Sequence, residues 1–163
     1  MAKTTTNNIQ MNISDKVRYT INGNADKYIE LNPGDVGIVA RLGDAIPIIN
    51  GLVARYEALS VEEIPEDEPM DVTMQTFSTN FKQMDSELRS IVNNLFDYDV
   101  CAVCAGGGSM FDPLDGEYRF SVIISTLLTM YEDTISKEME KLVNNMKKHT
   151  DKYTAQDHKR KRK

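Results

Sequence analysis

The sequence has little of the chemistry that secreted, membrane-spanning or metal-dependent proteins carry. There is no tryptophan, and only two cysteines and two histidines occur among 163 residues. No stretch approaches the ~18 uninterrupted apolar residues of a membrane span, and the opening Met-Ala-Lys-Thr-Thr-Thr-Asn-Asn lacks the apolar block of a signal peptide. We therefore expect a cytoplasmic protein without a membrane partner.

The cysteines form one Cys-x-x-Cys pair, Cys101 and Cys104. A zinc site needs two more ligands at metal spacing, whereas His149 and His158 stand nine positions apart in a polar segment. Zinc binding and redox chemistry are the weaker alternatives. We expect two small buried cysteines near a helix end, with no bound metal and no cofactor.

No catalytic pattern is present either. Gly106-Gly107-Gly108 leads into Ser-Met and not into the Lys-Ser/Thr of a phosphate loop. Asp112, Asp115 and Glu117 lack the alternating spacing of a calcium loop, so we interpret them as turn residues followed by an acid at a helix N-terminus. The sequence predicts a protein that is not an enzyme.

Charge is distributed unevenly along the chain. Residues 147–163 carry eight Lys/Arg and two Asp, so they hold +6 of a total of −6 and leave −12 on residues 1–146. The terminal Lys159–Lys163 run could neutralise phosphates. An acidic body would repel the same backbone and no aromatic residue interleaves with the run to stack on bases, so nucleic acid is an unlikely partner. The alternative is a solvated tail or a protein-docking arm.

Residues 1–14 are polar and without period, which predicts a flexible arm. In Val17–Ile21 apolar and polar residues then alternate, Asn22-Gly23 is a strong hairpin signal, and Lys27–Leu31 is the expected returning strand. A lone hairpin is marginal in water, so it must lie on helices or pair with a neighbouring subunit.

Three long amphipathic helices follow in the prediction. The first begins at Asn32-Pro33, runs to about residue 60 and has a kink or break near residues 44–47, because Gly43 and Pro47 weaken it. Its apolar face comprises Val36, Val39, Leu42, Ile46, Ile49, Leu52, Val53, Tyr56 and Leu59. An acidic, proline-containing linker spans residues 61–70.

The second helix is predicted from Asp71, as its cap, to Phe96, and the third from Glu117 to Lys148. Along the second helix, apolar residues are spaced alternately by four and three positions and form one apolar stripe, the 4-3 seam: Met70, Met74, Phe77, Phe81, Met84, Leu88, Ile91 and Leu95. The third has a broader face, which predicts that it is central: Phe120, Ile123, Ile124, Leu127, Leu128, Tyr131, Ile135, Met139, Leu142 and Met146. A Gly-rich corner joins these two helices. The fold class is therefore mainly α with a small N-terminal β-hairpin, as a single domain over residues 15–150 followed by a basic tail, 151–163.

The chain contains nine methionines, several of them on these faces. A plain core explains most of them, and a flexible helix-binding surface is the alternative. The candidate partner-binding residues lie on the second and third helices and on the hairpin: Met74, Phe77, Phe81, Leu128, Tyr131, Ile135, Met139, Leu142, Tyr19 and Tyr28.

This layout resembles that of tail assembly chaperones of long-tailed phages of Gram-positive bacteria. The likeness covers roughly residues 17–153 and is carried mainly by Leu95-Phe96-Asp97, Cys101 and Ser109-Met-Phe-Asp-Pro-Leu-Asp-Gly-Glu-Tyr-Arg-Phe120, followed by a helix with Leu128, Tyr131 and Glu132. The resemblance implies a non-enzymatic protein of the host cytoplasm, absent from the mature virion, that binds and solubilises the tape measure protein. Tail tube protein is a further partner that it suggests, and a homo-oligomer stays open.

Two other functions compete with this expectation. One is a structural virion component, such as a tail-completion or connector protein, in which the hairpin would serve as an intersubunit strand. The other is a small nucleic-acid-binding regulator that uses the basic tail. Presence in purified particles separates the first from a chaperone, and salt-dependent DNA binding would indicate the second.

Overall fold

The computed structural model describes residues 15–61 and 67–160, with side chains for 15–59 and 67–148. The predicted arm at 1–14, residues 62–66 of the predicted linker and the last three residues lie outside this part. The protein is mainly α, as predicted. Its elements in chain order are β1 Val17–Ile21, β2 Asn24–Leu31, α1 Gly37–Val61, α2 Met70–Phe96, α3 Val100–Cys104, β3 Pro113–Leu114, β4 Glu117–Tyr118, α4 Arg119–Leu128, a 3₁₀ turn Thr129–Tyr131 and α5 Glu132–Arg160.

The N-terminal hairpin is confirmed. Asn22 and Gly23 have φ angles of 51° and 72°, the left-handed pair that a two-residue hairpin turn requires. The strands pair antiparallel, with Tyr19 opposite Ile29. Ile29 and Leu31 are completely buried, so the hairpin is stabilised by packing on the helices of its own chain.

The start of α1 differs from the prediction. Asn32 Oδ1 accepts a hydrogen bond from the Gly34 N–H at 3.0 Å, and Asp35 Oδ1 accepts one from the Gly37 N–H at 2.8 Å. Each of these side chains closes a local turn with the backbone N–H two residues later. The helix therefore begins only at Gly37, and not at Asn32-Pro33 as predicted.

Of the kink or break predicted near residues 44–47, the break is wrong, because α1 continues through Pro47. Proline removes the hydrogen bond to the carbonyl four residues earlier, that of Gly43. Gly43 is exposed, so water can bind that carbonyl instead. The solvent side of a helix tolerates such a proline.

Most of the predicted apolar face of α1 is confirmed: Leu52 is buried, and six further members are partly buried against the core, namely Val39, Leu42, Ile49, Val53, Tyr56 and Leu59. Ile38, Ala45 and Leu52 face the core, whereas Val36 and Ile46, both predicted to be buried, are exposed. α1 packs antiparallel on α2, which Arg41 fixes by donating to the Leu95 carbonyl at 2.9 Å. Which of these apolar residues are fully covered depends on where α2 lies, and spacing alone does not reveal this.

α2 begins at Met70, directly after Pro69, and Asp71 lies in its first turn without being the cap. A carboxylate there still meets the positive end of the helix dipole. The core residues of α2 occupy its second half: Met84, Leu88, Val92, Leu95 and Phe96. The seam is thus confirmed as core from Met84 onward, while Met70, Met74 and Phe77 are exposed.

The predicted third helix is divided. Glu117 lies in β4, so its interpretation as a helix N-terminal acid is wrong, and α4 starts at Arg119. The 3₁₀ turn interrupts the helix where Thr129 Oγ1 donates to the Thr126 carbonyl at 2.6 Å, a bond that competes with the backbone pattern. α5 then extends to Arg160, past the predicted end at Lys148.

The second half of α2 is the centre of the fold, and the third predicted helix is not. α5 exposes Met139, Leu142 and Met146, since it leaves the body after its first turns. Phe111, from the corner, lies in an aromatic cluster whose other rings come from α1, α2, β4 and α4. Its ring stacks on Tyr56 with centroids 4.4 Å apart and also contacts Phe81, Tyr118 and Phe120.

Candidate partner-binding surfaces

The corner that carries the resemblance has a structural role. Met110 and Phe111 are buried in the core, and Asp115 and Gly116 adopt the left-handed angles (φ 54° and 86°) of the turn between β3 and β4. Asp112 accepts from the Ser109 N–H at 3.0 Å and pairs with Arg119 at 3.3 Å. The motif therefore folds a tight loop onto α2, and its acids serve the turn.

The cysteines are placed as small apolar residues. Cys101 is buried in α3, and burial raises the pKa of its thiol to about 12. Cys104 is only half-buried, so the prediction of two buried cysteines is confirmed for Cys101 alone, although burial also raises the pKa of Cys104. Because the thiolate is the nucleophile and metal ligand, both are held in the unreactive form at neutral pH. Within residues 15–59 and 67–148, no group of three His, Cys, Asp or Glu side chains could hold a metal ion.

The first candidate surface is the exposed α2 face, formed by Met70, Met74 and Phe77. Met74 and Phe77 are 60% and 41% exposed. The Phe77 ring stacks on Phe81, with centroids 5.9 Å apart and planes 10° apart, and Phe81 reaches the aromatic cluster. The exposed apolar face is thus continuous with the core and held in place by it.

The second candidate surface is the exposed α5 face, formed by Met139, Leu142, Val143 and Met146. Thr134 Oγ1 donates to the Pro33 carbonyl at 2.6 Å and anchors the start of α5. Ile135 still packs against the core. Beyond it, Met139 and Leu142 are 49% and 50% exposed.

The two faces belong to segments that start at opposite ends of α2. α5 begins beside the end of α2, where the Tyr131 and Phe96 rings lie 6.0 Å apart. The exposed α2 face begins at Met70, at the other end of a 27-residue helix.

The remaining predicted site residues differ in how far they are buried. Tyr131 is 1% exposed, so its prediction as a partner contact is wrong: its ring fills the core beside Phe96. Phe81, Leu128 and Ile135 are partly buried against the core. Val143 was missed because it falls just outside the 4-3 spacing, although it is exposed beside it.

The two hairpin tyrosines lie on opposite faces of the sheet, because Tyr19 pairs with Ile29 and Thr20 with Tyr28. Tyr19 packs against the core and lines a groove of about 500 Å³ between β1 and α4. Tyr28 lies under the Arg18 guanidinium, 3.9 Å from the ring centroid. They cannot act as one contact patch.

One described helix, Gly37–Leu59, is long and apolar enough to cross a membrane by length and composition alone. The core helices of soluble proteins meet the same criterion. This helix carries Arg41, which pairs with Asp35 at 2.6 Å, and Arg55, which pairs with Glu87 at 3.2 Å. Its buried residues pack on α2.

Comparison with known proteins gives no relative. No protein-family model matches the sequence, and no curated protein and no solved structure is significantly similar to it.

Proposed function

We propose that this protein is a tail assembly chaperone of a long-tailed phage, which binds the tape measure protein and keeps it soluble without catalysing a reaction. The observation that carries the proposal is the exposed α2 face, an apolar surface that the core holds in place. The sequence resemblance described above, centred on residues 109–120, supplies the identity of the partner.

The mechanism is the masking of apolar area. A long amphipathic helix of the partner would lie against Met70, Met74 and Phe77, and each large side chain removed from water contributes about 1.5–3 kcal/mol. Unbranched methionines adapt to different partner side chains along such a helix. The −12 of residues 1–146 keeps the complex soluble by like-charge repulsion between complexes.

In this proposal the basic tail is secondary. The tail contributes only charge, and charged side chains do not remove the apolar area of the tape measure protein from water. Deletion of Lys159–Lys163 should therefore leave solubilisation of the tape measure protein nearly intact, and any loss should shrink as salt screens the tail.

The test is co-expression with the tape measure protein, followed by separation of soluble and pelleted fractions. Phe77→Asp should send the partner into the pellet, because it places a charge in the middle of the exposed α2 face. Gln75→Asp is the matched control: it introduces the same charge two residues away, on the other side of α2. Pelleting caused by the tail deletion alone, or full solubility with Phe77→Asp, would reject the mechanism.

The hairpin supports a second candidate, a structural component of the virion. The β1–β2 sheet has only two strands in the described part of the chain, so each strand keeps one edge without a strand partner there. Mass spectrometry of purified particles separates the candidates. A chaperone should be absent from the particles, whereas stoichiometric recovery would favour the virion component.

A further inference from the structure

A groove of about 500 Å³ runs along one edge of the hairpin, between β1 and α4. Five consecutive residues, 18–22, line it on one side, whereas β2 contributes only Ile29. Successive side chains of a strand point to opposite faces, so a groove lined by consecutive strand residues follows the edge of the strand and not one face. In the part of the chain that the structure describes, this edge of β1 has no strand partner. Its backbone N–H and C=O groups are therefore available to an added strand.

The helical wall of the groove is largely apolar. Ile123 and Leu127 of α4 line it and are buried, and Met130, just after α4, lines it with 38% of its surface exposed. Tyr19 and Ile21, from β1, are partly buried against the same core. An extended segment in this groove would bond its backbone to β1 and cover apolar side chains of α4.

The chain carries a matching segment directly before β1. The N-terminal arm as a whole is without period, but in its last six residues Ile9, Met11 and Ile13 are each followed by a polar residue. This short alternation is that of a strand with one apolar and one polar side. Residues 4–14 carry no charged side chain, so their entry into the groove would take no charge out of water.

We propose that residues 9–13 of the N-terminal arm pair as a third strand with the free edge of β1 and fill the groove against α4 of the same chain. Facing residues of an antiparallel pair project to the same side of the sheet. Every register that pairs odd-numbered positions with each other therefore sets Ile9 and Met11 on the side of Tyr19 and Ile21, over α4. The polar residues between them then face water.

Length and attachment favour the chain's own arm as the occupant. Lys16 donates to the Asp97 carbonyl at 3.3 Å, which fixes the point where the chain enters β1. The groove follows about 14 Å of strand, whereas 14 extended residues reach about 46 Å, so the arm can reverse and still span it. Asn12 and Ser14 are turn-forming residues at the place where the reversal is needed.

The tether also favours the same chain over a second copy. A short linker gives an effective concentration in the millimolar range, well above that of a second copy at micromolar concentration. Pairing of this edge would keep β1 from joining strands of other chains. The proposal is independent of what the exposed α2 face binds.

The native cysteines report on whether the groove is filled, because Cys104 lines it and Cys101 does not. Ile9→Asp places a charge on the apolar side of the added strand, so the arm should leave the groove. The reaction of Cys104 with a thiol reagent should then become about tenfold faster or more. Gln10→Asp is the matched control, which adds the same charge on the side that faces water and should leave the rate unchanged. Cys101 should stay slow in all three proteins if the core is intact.

Disulfide trapping identifies which chain supplies the arm. Ile9→Cys and Met11→Cys, oxidised at low protein concentration, should give a monomer linked to Cys104, identified by mass spectrometry of the joined peptides. Gln10→Cys should link far less, because its side chain points away from the groove.

Four results would overturn the proposal. Cys104 reacts at the same rate in the wild type and both Asp variants, or equally faster in both variants. Cys101 becomes faster together with Cys104, which would indicate a loosened core. Neither Ile9→Cys nor Met11→Cys links to Cys104. A linked dimer forms instead of a linked monomer, which would show that the arm of a second copy occupies the groove.

Discussion

Asp85 of α2 accepts a hydrogen bond from the backbone N–H of Met110, 25 positions later, at 2.6 Å. The same carboxylate accepts from Ser109 Oγ at 2.8 Å and pairs with Arg89 at 2.8 Å. Arg89 in turn donates to the carbonyls of Gly106 and Gly108. One acid and one arginine on successive turns of α2 thus hold both the glycine run and the start of the motif that follows it.

Replacing this acid should loosen the corner. Asp85→Asn removes a largely buried negative charge to which Arg89, Ser109 Oγ and the Met110 N–H all donate. We expect the unfolding free energy to fall by about 2 kcal/mol. Glu87→Gln is the matched control on the same helix: it breaks only the exposed pair with Arg55, worth under ~1 kcal/mol. Urea denaturation of the wild type and the two variants measures their unfolding free energies. Equal losses in the two variants would refute the role of Asp85.

The same carboxylate predicts an acid dependence of stability. Partial burial alone would raise the pKa of Asp85, but hydrogen bonds from Arg89, the Met110 N–H and Ser109 outweigh it, and the pKa is lowered. A group with a lowered folded-state pKa stabilises the protein fully above its unfolded pKa and loses this contribution as pH falls through the folded value. Stability should therefore fall below about pH 4. Asp85→Asn should lose less on acidification than the wild type, and an identical fall would contradict this.

Two glycines should respond to alanine with opposite sign. A Cβ would meet nothing within 4 Å at Gly23 or at Gly43, so only backbone conformation differs. Gly23 has φ +72° in the hairpin turn, where alanine should cost about 1 kcal/mol. Gly43 lies inside α1, where alanine should add up to ~1 kcal/mol. Thermal denaturation of both variants checks the signs, and a stabilised Gly23→Ala would exclude the assigned turn.

Local signals were enough to predict several elements. Asn22-Gly23 and Asp115-Gly116 specify turns because few residues tolerate positive φ, and the second half of the α2 seam follows from its period. Which apolar residues are exposed was harder to predict. Whether Met74 or Leu88 is buried depends on how far α1 and the corner extend along α2, and the 4-3 spacing is the same at both. Tyr131 lies on the predicted apolar face, but the spacing could not show that its ring fills the core beside Phe96 and is not free to contact a partner.

Thiol accessibility should follow burial. Cys101 is buried with its pKa raised to about 12, and burial also raises the pKa of Cys104. In native protein near pH 8, Cys101 should react with a thiol reagent far more slowly than a small-molecule thiol, and Cys104, which is only half-buried, should react faster than Cys101. Both should react fully in denaturant. A rapid native reaction of one equivalent, assigned by mass spectrometry to Cys101, would contradict its placement. Metal analysis after purification without chelator should show no stoichiometric zinc.

The last prediction separates the two halves of the α2 seam. Leu88 is completely buried, so Leu88→Ala should cost about 3 kcal/mol through lost contacts and a cavity. Met74 is mostly exposed, and Met74→Ala should change stability by less than ~0.5 kcal/mol. Phe81 lies between them, with its ring against Tyr56 and Phe111, so Phe81→Asp should cost roughly 3 kcal/mol or more.

Urea denaturation at low protein concentration measures these three values, and binding of the tape measure protein should show the reverse order of effects. Met74→Ala should weaken binding while leaving the fold intact, because its side chain contributes apolar area only when a partner covers it. Leu88→Ala should weaken binding only through unfolding. If Met74→Ala destabilised the isolated chain as much as Leu88→Ala does, the first half of α2 would be buried without a partner, and the exposed α2 face would not be the binding surface.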